Sequence, residues 1–252
     1  METHGNAGAV GGGAGARWER LAPGVVRRRL PGWDATAGAV AGSDGVLVVD
    51  TGSSLHEGVE IRHELQEIFG GLPVTHIALT HPHFDHVLGT AAFSGVQVYA
   101  AVGAGELLGR ERKELRHDAV LHGMQPDLAA EAVELLVLPG HGVSGQVALD
   151  LGGGRRALLV NIGPGHTAHD LAVLVPGGTD APDVVFCGDL VEESGEPQAG
   201  ADALPHAWPA ALDRLLALGG EDAVYVPGHG AVVDAGFVRR QRDELRDRFS
   251  AA

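Results

Sequence analysis

The chain of 252 residues is long enough for one large hydrophobic core, and its apolar content of 44% is that of a globular protein. Its formal net charge of −15 argues against the basic stripe that a nucleic-acid surface needs, so we expect no nucleic-acid partner. A single cysteine excludes intramolecular disulfides and fits a reducing compartment, from which we expect a cytoplasmic location.

The N-terminal segment is rich in Gly and Ala but lacks the basic start and the continuous apolar stretch of a signal peptide. We interpret residues 1–16 as a flexible tail and 17–252 as a single domain, with no membrane span. After the tail, apolar runs separated by Gly-Ser-Asp turns predict three strands and then a helix. These elements cover residues 24–30, 36–41, 45–50 and 57–69.

The most informative segment follows the next predicted strand, an apolar run over 74–79. The strand leads into His81, His83, Asp85 and His86, within the run Thr-His-Pro-His-Phe-Asp-His. Imidazole and carboxylate are ligands that suit zinc and other first-row divalent metals, and four such groups are costly to bury without a cation. If side chains continue to alternate past the end of the strand, His81, His83 and Asp85 lie on one side and His86 begins a helix. One loop could then provide ligands for two metals.

The remaining predicted elements are strands and helices in alternating blocks. Strands followed by helices, twice over, predict an α/β protein, a four-layer αββα sandwich with the metal cleft along one edge of the sheets. The strands cover residues 96–101, 147–151, 157–163, 170–175 and 184–188, and the helices cover 105–117, 125–136, 207–218 and 239–249.

Three further candidate ligands lie where apolar stretches end in Gly-containing turns. They are His166 in Gly-Pro-Gly-His-Thr, Asp189 in Phe-Cys-Gly-Asp and His229 in Val-Pro-Gly-His-Gly. A rigid sheet presents ligands at its edge in this way. Each turn alone is a weak signal, but their order after the histidine-rich run is improbable by chance.

This series of motifs resembles that of the metallo-β-lactamase-fold hydrolases, over residues from about 25 to 234. Asp50, in Val-Val-Asp-Thr-Gly, matches the first motif of that family, and the resemblance implies that it supports the ligand loop without binding metal. It also implies one metal held by His81, His83 and His166, a second held by Asp85, His86 and His229, and Asp189 bridging the two.

From these residues we expect a hydrolase that uses a metal-bound hydroxide. Two divalent ions, with zinc favoured over iron or manganese, lower the pKa of bound water towards about 7 and polarise the substrate oxygen. Asp85 is the predicted catalytic residue, steering the nucleophile and passing a proton to the leaving group. The chain has no Gly-x-Ser-x-Gly elbow that would favour a serine nucleophile.

The expected partner is a small molecule: an ester, lactone, thioester or related acyl compound. Only 23 residues follow His229, too few for the helical domain that glyoxalase II-type enzymes append there. Flavodiiron proteins differ at His83, where they carry Glu, and many true β-lactamases differ at Asp85-His86 or at the bridging Asp. Two alternatives stay open: an oxidoreductase similar to persulfide dioxygenases, with a single iron, and a non-catalytic metal-binding scaffold. The residues do not define the oligomeric state.

Four features could shape the substrate pocket. Trp33 lies on an early turn, His141 lies in a second Pro-Gly-His-Gly, and His169 follows His166 closely. The segment 105–143 is a natural lid. Its basic run could meet an anionic substrate group, although pairing with neighbouring glutamates on a solvated helix face is the favoured interpretation. This run comprises Arg110, Arg112, Lys113 and Arg116.

Overall fold

The structure is a computed structural model that describes residues 17–250, so the tail predicted for 1–16 lies outside the described residues. Two sheets form the centre of the molecule. The first sheet contains β1 (Glu19–Ala22), β2 (Val25–Arg29), β3 (Thr36–Ala41), β4 (Val46–Val49), β5 (Val74–Ala78), β6 (Gln97–Ala101) and β7 (His141–Val143), in that spatial order.

The second sheet has the spatial order β12-β11-β10-β9-β8. Its strands are β8 (Gln146–Asp150), β9 (Arg156–Asn161), β10 (Leu171–Val175), β11 (Val184–Glu192) and β12 (Val224–His229).

Helices cover the outer faces of both sheets. They are α1 (Leu55–Ile68), α2 (Phe84–Val87), α3 (Ala104–Arg110), α4 (Arg112–Leu121), α5 (Pro126–Leu135), α6 (Trp208–Gly219) and α7 (Ala235–Ser250).

Three buried apolar layers hold these elements together. One lies between the first sheet and α1, α3, α4 and α5, and includes Val48, Ile61 and Leu115. The middle layer joins the two sheets, with Leu47 from one sheet and Phe186 from the other. The third packs α6 and α7 on the second sheet. The predicted αββα sandwich is therefore confirmed, and each sheet is buried on both faces as its nearly continuous apolar strands require.

Strand direction explains where the polar residues gather. In the first sheet β4, β5 and β6 run parallel, and in the second β11 and β12 run parallel. The carboxyl ends of parallel strands meet at one edge of a sheet, where ligands bind in open α/β folds. Asp50 follows β4, His81 follows β5 closely, and His229 ends β12. One edge of the sandwich therefore collects side chains from distant parts of the sequence.

The structure departs from the predicted elements in the segment between β6 and β8. The single helix predicted over 105–117 is two helices, because the backbone at Glu111 leaves the helical region with φ −104° and ψ 32°. The strands β1 and β7 were not predicted. Each is only three or four residues long and lies at an edge of the first sheet, where few neighbours impose an apolar pattern.

Between residues 17 and 250, no helix combines the length and the apolar character that crossing a membrane requires.

Candidate metal centre

The ligand loop leaves the end of β5 and enters the short helix α2. His83 has extended backbone angles, φ −91° and ψ 152°, and directly precedes this helix. The apolar neighbours Phe84 and Val87 pack into the core beneath the first sheet, which anchors the loop from below. The polar residues of the same loop are thereby turned towards the sheet edge.

All seven predicted ligands come together at this edge, in two adjoining groups. In each group one ligand atom per residue lies within 4.8 Å of all the others. The first cluster consists of His81, His83, His166 and Asp189, and the second cluster consists of Asp85, His86 and His229.

Asp189 lies between the two clusters. Its Oδ2 is 3.5 Å from His81 Nε2, 3.6 Å from His166 Nε2 and 3.3 Å from His229 Nε2. Its Oδ1 is 3.2 Å from His86 Nε2. One carboxylate therefore faces histidines of both clusters, which is the arrangement that a shared ligand needs.

The imidazoles also approach one another closely. His83 Nδ1 and His166 Nε2 are 3.0 Å apart, and His86 Nε2 and His229 Nε2 are 3.4 Å apart. Asp85 Oδ2 completes the second cluster at 3.4 Å from His229 Nε2. Nitrogens packed this closely, with carboxylate oxygens between them, form a donor set that suits divalent transition metals.

The outward-facing nitrogens show which way the lone pairs point. His229 Nδ1 lies 2.8 Å from the carbonyl oxygen of Trp33, and His86 Nδ1 lies 2.8 Å from Asp50 Oδ2. Both oxygens only accept hydrogen bonds, so in each ring Nδ1 carries the proton. Nε2 of the neutral ring then directs its lone pair into the centre, as in metal-binding histidines held by an outer acceptor.

His81 is oriented through a relay. Thr80 Oγ1 donates to Asp50 Oδ2 at 2.7 Å, and the same hydroxyl lies 2.9 Å from His81 Nδ1. Because the hydroxyl proton is engaged with Asp50, the hydroxyl oxygen accepts from the His81 ring. His81 Nε2 therefore also faces inward as an acceptor, and it is buried without a hydrogen-bond partner among the described residues. An orphaned buried acceptor beside others of its kind fits a bound cation.

Asp50 serves both clusters at once. It is buried and accepts hydrogen bonds from the backbone N–H and hydroxyl of Thr80 and from His86. Its φ of 57° is in the left-handed region, which Asp tolerates better than most residues. Asp50 lies in the supporting position that the family resemblance implied, outside both ligand clusters.

The later ligands are placed by tight turns. The Asp170 carboxylate accepts from the backbone N–H of Thr167 at 2.9 Å and from its hydroxyl at 2.8 Å, which fixes the turn next to His166. At Gly228 a Cβ would overlap Asp189 Oδ1, so only glycine fits between β12 and the centre. The Gly-His pattern in the sequence therefore reflects close approach of the backbone to the shared carboxylate.

The imidazoles differ in their proton affinities. Burial lowers the pKa of His81 well below its usual value and that of His166 to about 4. For His229 burial also favours the neutral ring, but the negative charge of Asp189 outweighs it and raises the pKa to about 9. The pKa of His86 is also raised, because the negative charges of Asp189 and Asp85 outweigh the effect of burial. The centre thus concentrates negative charge around the second cluster, where a cation is stabilised.

Two residues of the site are absent from the sequence prediction. Asp202 Oδ2 lies 2.9 Å from His83 Nε2, so that His83 directs Nδ1 into the first cluster. Glu192 lies within ligand distance of Asp189 and His229, and burial raises its pKa to about 7. Asp202 lies in an irregular loop that carries no motif. Glu192 could have been found from its position three residues after Asp189 on the same strand.

A cavity of about 640 Å³ opens over both clusters. The Trp33 ring meets the Phe84 ring edge-on at 5.2 Å between centroids, and the His122 ring stacks on Phe84 at 5.6 Å. Trp33 Nε1 donates to the carbonyl of His122 at 3.0 Å, which ties the end of α4 to the early turn. Trp33 and part of the 105–143 segment therefore do shape the pocket.

The other two candidate pocket residues lie elsewhere. His141 is on β7, stacked on Tyr99 at 4.6 Å, and His169 Nδ1 bonds the carbonyl of Val102 at 2.9 Å. Neither lines the cavity. The basic run does not line it either: Arg110 pairs with Glu111, and Arg112 caps carbonyls at the end of α5. The favoured interpretation of that run, pairing on a solvated face, holds for Arg110.

Comparison with known proteins agrees with this geometry. The sequence profile of the Metallo-beta-lactamase superfamily matches residues 30–229. Metallo-beta-lactamase domain-containing protein 1 of Xenopus laevis is 31% identical over 157 residues, which are 62% of this chain and 54% of that protein. The chain thus spans about half the length of this curated relative.

Solved structures share the fold at low identity. A metallo-beta-lactamase from Pontibacter korlensis superposes with a TM-score of 0.68 at 22% identity, covering 92% of this chain and 99% of its own. The metallo-beta-lactamase FIM-1 from Pseudomonas aeruginosa, solved in a mono-zinc form, gives a TM-score of 0.68 at 20% identity, covering 94% and 96%. At sequence identities of 20–22%, these structural matches establish the fold.

Proposed function

This chain belongs to the metallo-beta-lactamase superfamily, and we propose that it is a metallo-hydrolase, which binds two zinc ions and hydrolyses a small ester, lactone, thioester or related acyl compound. One ion would be held by the first cluster and the other by the second, with Asp189 shared. We also propose a cytoplasmic location, because the single cysteine, buried in β11, is a free thiol and fits a reducing compartment.

The observation that carries this proposal is the direction of the imidazoles. His81, His86 and His229 each have an outer acceptor at Nδ1, which turns Nε2 towards the centre. Asp189 raises the pKa of His86 and His229, so without metal these two rings hold a proton on Nε2, and a divalent cation would take the place of those protons. The non-catalytic scaffold is disfavoured, because a large cavity opens directly over these atoms.

The chemistry divides between the ions and the chain. Divalent ions at such a centre supply a nucleophile at neutral pH and polarise an acyl oxygen. Asp85 is buried, lies beside His229 and lines the cavity, so its carboxylate can orient the attacking water and carry a proton to the leaving group. Trp33 and Phe84 supply an apolar wall that positions the acyl chain.

The first test is metal identity and stoichiometry, measured by elemental mass spectrometry on protein purified without chelator or added metal. We expect two zinc ions per chain and hydrolysis in a panel of esters, lactones and thioesters. One iron per chain, with oxygen consumption on thiol or persulfide substrates, would replace the hydrolase proposal by the dioxygenase alternative.

Asp85→Asn provides the matching test of mechanism. We expect kcat to fall by about a hundredfold or more, the usual contribution of a positioned acid or base, with a smaller change in KM. Asp127→Asn, which changes an exposed carboxylate of α5 outside the cavity, is the control and should leave kcat on a neutral ester nearly unchanged. An effect of Asp85→Asn on KM alone would contradict a role in proton transfer.

A further inference from the structure

One face of α4 forms the outer wall of the cavity. Glu111, at the start of this helix, and Glu114, Leu115 and Asp118 within it all line the cavity. Their spacing of three, four and seven residues places them on one side of a helix. This wall of the cavity is therefore acidic, with one apolar residue in its middle.

The basic residues of α4 point away from the cavity. Arg112 binds carbonyls of Val133 and Leu136, and neither Lys113 nor Arg116 is among the lining residues. Of all the described residues that line the cavity, none is Lys or Arg. Carboxylates from the other side of the opening add to the negative charge. Beyond the predicted ligands, the lining carboxylates are Glu111, Glu114, Asp118, Glu192, Glu196 and Asp202.

Several of these carboxylates already have partners, which leaves Glu114 and Glu196 as the available charges. Glu111 pairs with Arg110 at 2.7 Å, and Asp118 lies 3.3 Å from His122 Nδ1. Glu114 and Glu196 make no ion pair with any described residue, and both are exposed to solvent. A ligand group of positive charge would meet them without displacing a protein partner.

The aromatic side chains of the same wall point to the same kind of ligand. Trp33 and Phe84 line the cavity with their rings in edge-to-face contact. The face of an aromatic ring attracts cations, and Trp does so most strongly. Phe84 is 4% exposed and stacks on His122, so the half-buried ring of Trp33 is the aromatic group that a cation in the cavity would meet.

We propose that the cavity selects acyl substrates that carry an ammonium or other organic cation on an apolar chain, and that it discriminates against anionic acyl compounds. The inference rests on the proposed hydrolase function and specifies its substrate class. It separates this chain from enzymes whose substrates carry a carboxylate or phosphate, because such groups would approach Glu114 and its neighbours without a compensating Lys or Arg.

The test uses three para-nitrophenyl butanoate esters that differ only at the last carbon of the chain. One carries trimethylammonium, one its neutral tert-butyl isostere, and one a sulfonate. We expect kcat/KM of the metal-loaded enzyme to fall in that order, with about a tenfold difference between the cation and the anion at low salt, as several partly exposed charges would give. Raising the salt to about 1 M, where the Debye length is about 3 Å, should reduce the difference.

The double variant Glu114→Gln with Asp118→Asn isolates the wall. The wild type and the double variant share the same metal-ligand residues. A difference between them in the ratio of kcat/KM for the cationic ester to kcat/KM for the anionic ester therefore measures the effect of the outer carboxylates. We expect the ratio to fall several-fold, with a smaller change in kcat/KM for the neutral ester than for either charged ester. Glu106→Gln, on the exposed side of α3 and outside the cavity, is the matched control and should keep the wild-type ratio.

Binding of the corresponding anilides, measured by titration calorimetry, distinguishes the two proposals. Turnover of all three esters at equal rates, or preference for the sulfonate, would overturn the charge inference and leave the hydrolase intact. Lack of turnover with any ester would count against the acyl hydrolase, and the anilides would then decide the charge inference: tighter binding of the cation supports it, and equal affinities overturn it.

Discussion

The buried and the open sides of the metal centre hold their histidines in different ways. On the buried side Asp50, 2% exposed, accepts from Thr80 and His86 and, through Thr80, orients His81. On the open side Asp202, whose side chain is 47% exposed, orients His83 alone. One carboxylate thus links both clusters to the core, whereas the other acts on a single ligand at the solvent boundary.

Because of this difference, we expect changes on the two sides to have different effects on the stability of the fold and on the affinity for metal. A hydrogen bond to a buried charge contributes about 1.5–3 kcal/mol, while an exposed ion pair contributes about 0–1 kcal/mol. Changes on the buried side should therefore affect folding as well as the metal centre. Changes on the open side should affect the metal centre alone.

Asp189→Ala, which changes the carboxylate between the two clusters, should have the largest effect. Removing the carboxylate between the clusters leaves the cations without their shared counter-charge, so metal content should fall by at least one ion per chain. Activity should fall by more than about a hundredfold, since loss of even an outer partner of a ligand costs about 10–100-fold. Cys187→Ala, two residues earlier on the same buried strand, is the control and should keep its metal. Unchanged metal content and rate would refute the bridging role.

Asp50→Asn tests the coupling between the centre and the fold. Asn also tolerates a positive φ, so the backbone is retained, but its NH₂ cannot accept, and at least one of the three donors loses its partner. We expect the free energy of unfolding to fall by about 3 kcal/mol, measured by urea denaturation with chelator present. An equal loss in Asp202→Asn would contradict the distinction between the two sides.

Asp202→Asn should instead weaken metal binding while the fold stays intact. The amide no longer holds the protonated Nε2 of His83 as strongly, so Nδ1 becomes a weaker ligand. Because Asp202 is half exposed, we expect the lower end of the usual range, about a tenfold loss of zinc affinity in competition with a chelating dye. Glu196→Gln, another cavity carboxylate outside the ligand clusters, should leave the affinity unchanged.

The same division explains what the sequence could predict. The αββα layers follow from apolar strands in order, and the buried side of the centre follows from motifs that lie directly after β4 and β5. The structure brings all seven predicted ligands together, and their binding of metal stays a prediction for the experiments above. These features can be predicted from short stretches of sequence, because a ligand that directly follows a strand is positioned by the end of that strand.

The open side could not be predicted in this way. Asp202 reaches His83 across 119 positions of sequence from a loop without regular structure. The acidic face of α4 was obscured by the basic run, because nothing local tells which face of a surface helix turns towards a cavity. Docking of His122 on Phe84 and Trp33 sets that orientation, and this contact is purely tertiary.

His141→Ala is the change with the smallest expected effect, and it tests whether motif or position determines a ligand. His141 and His229 share the pattern Pro-Gly-His-Gly. The first lies on the edge strand β7 with its ring against Tyr99, whereas the second ends β12 beside Asp189. We expect His141→Ala to keep the full metal content and His229→Ala to lose one ion, both measured by elemental mass spectrometry. Loss of an ion in His141→Ala would mean that the pattern, and not the strand on which it lies, identifies the ligand.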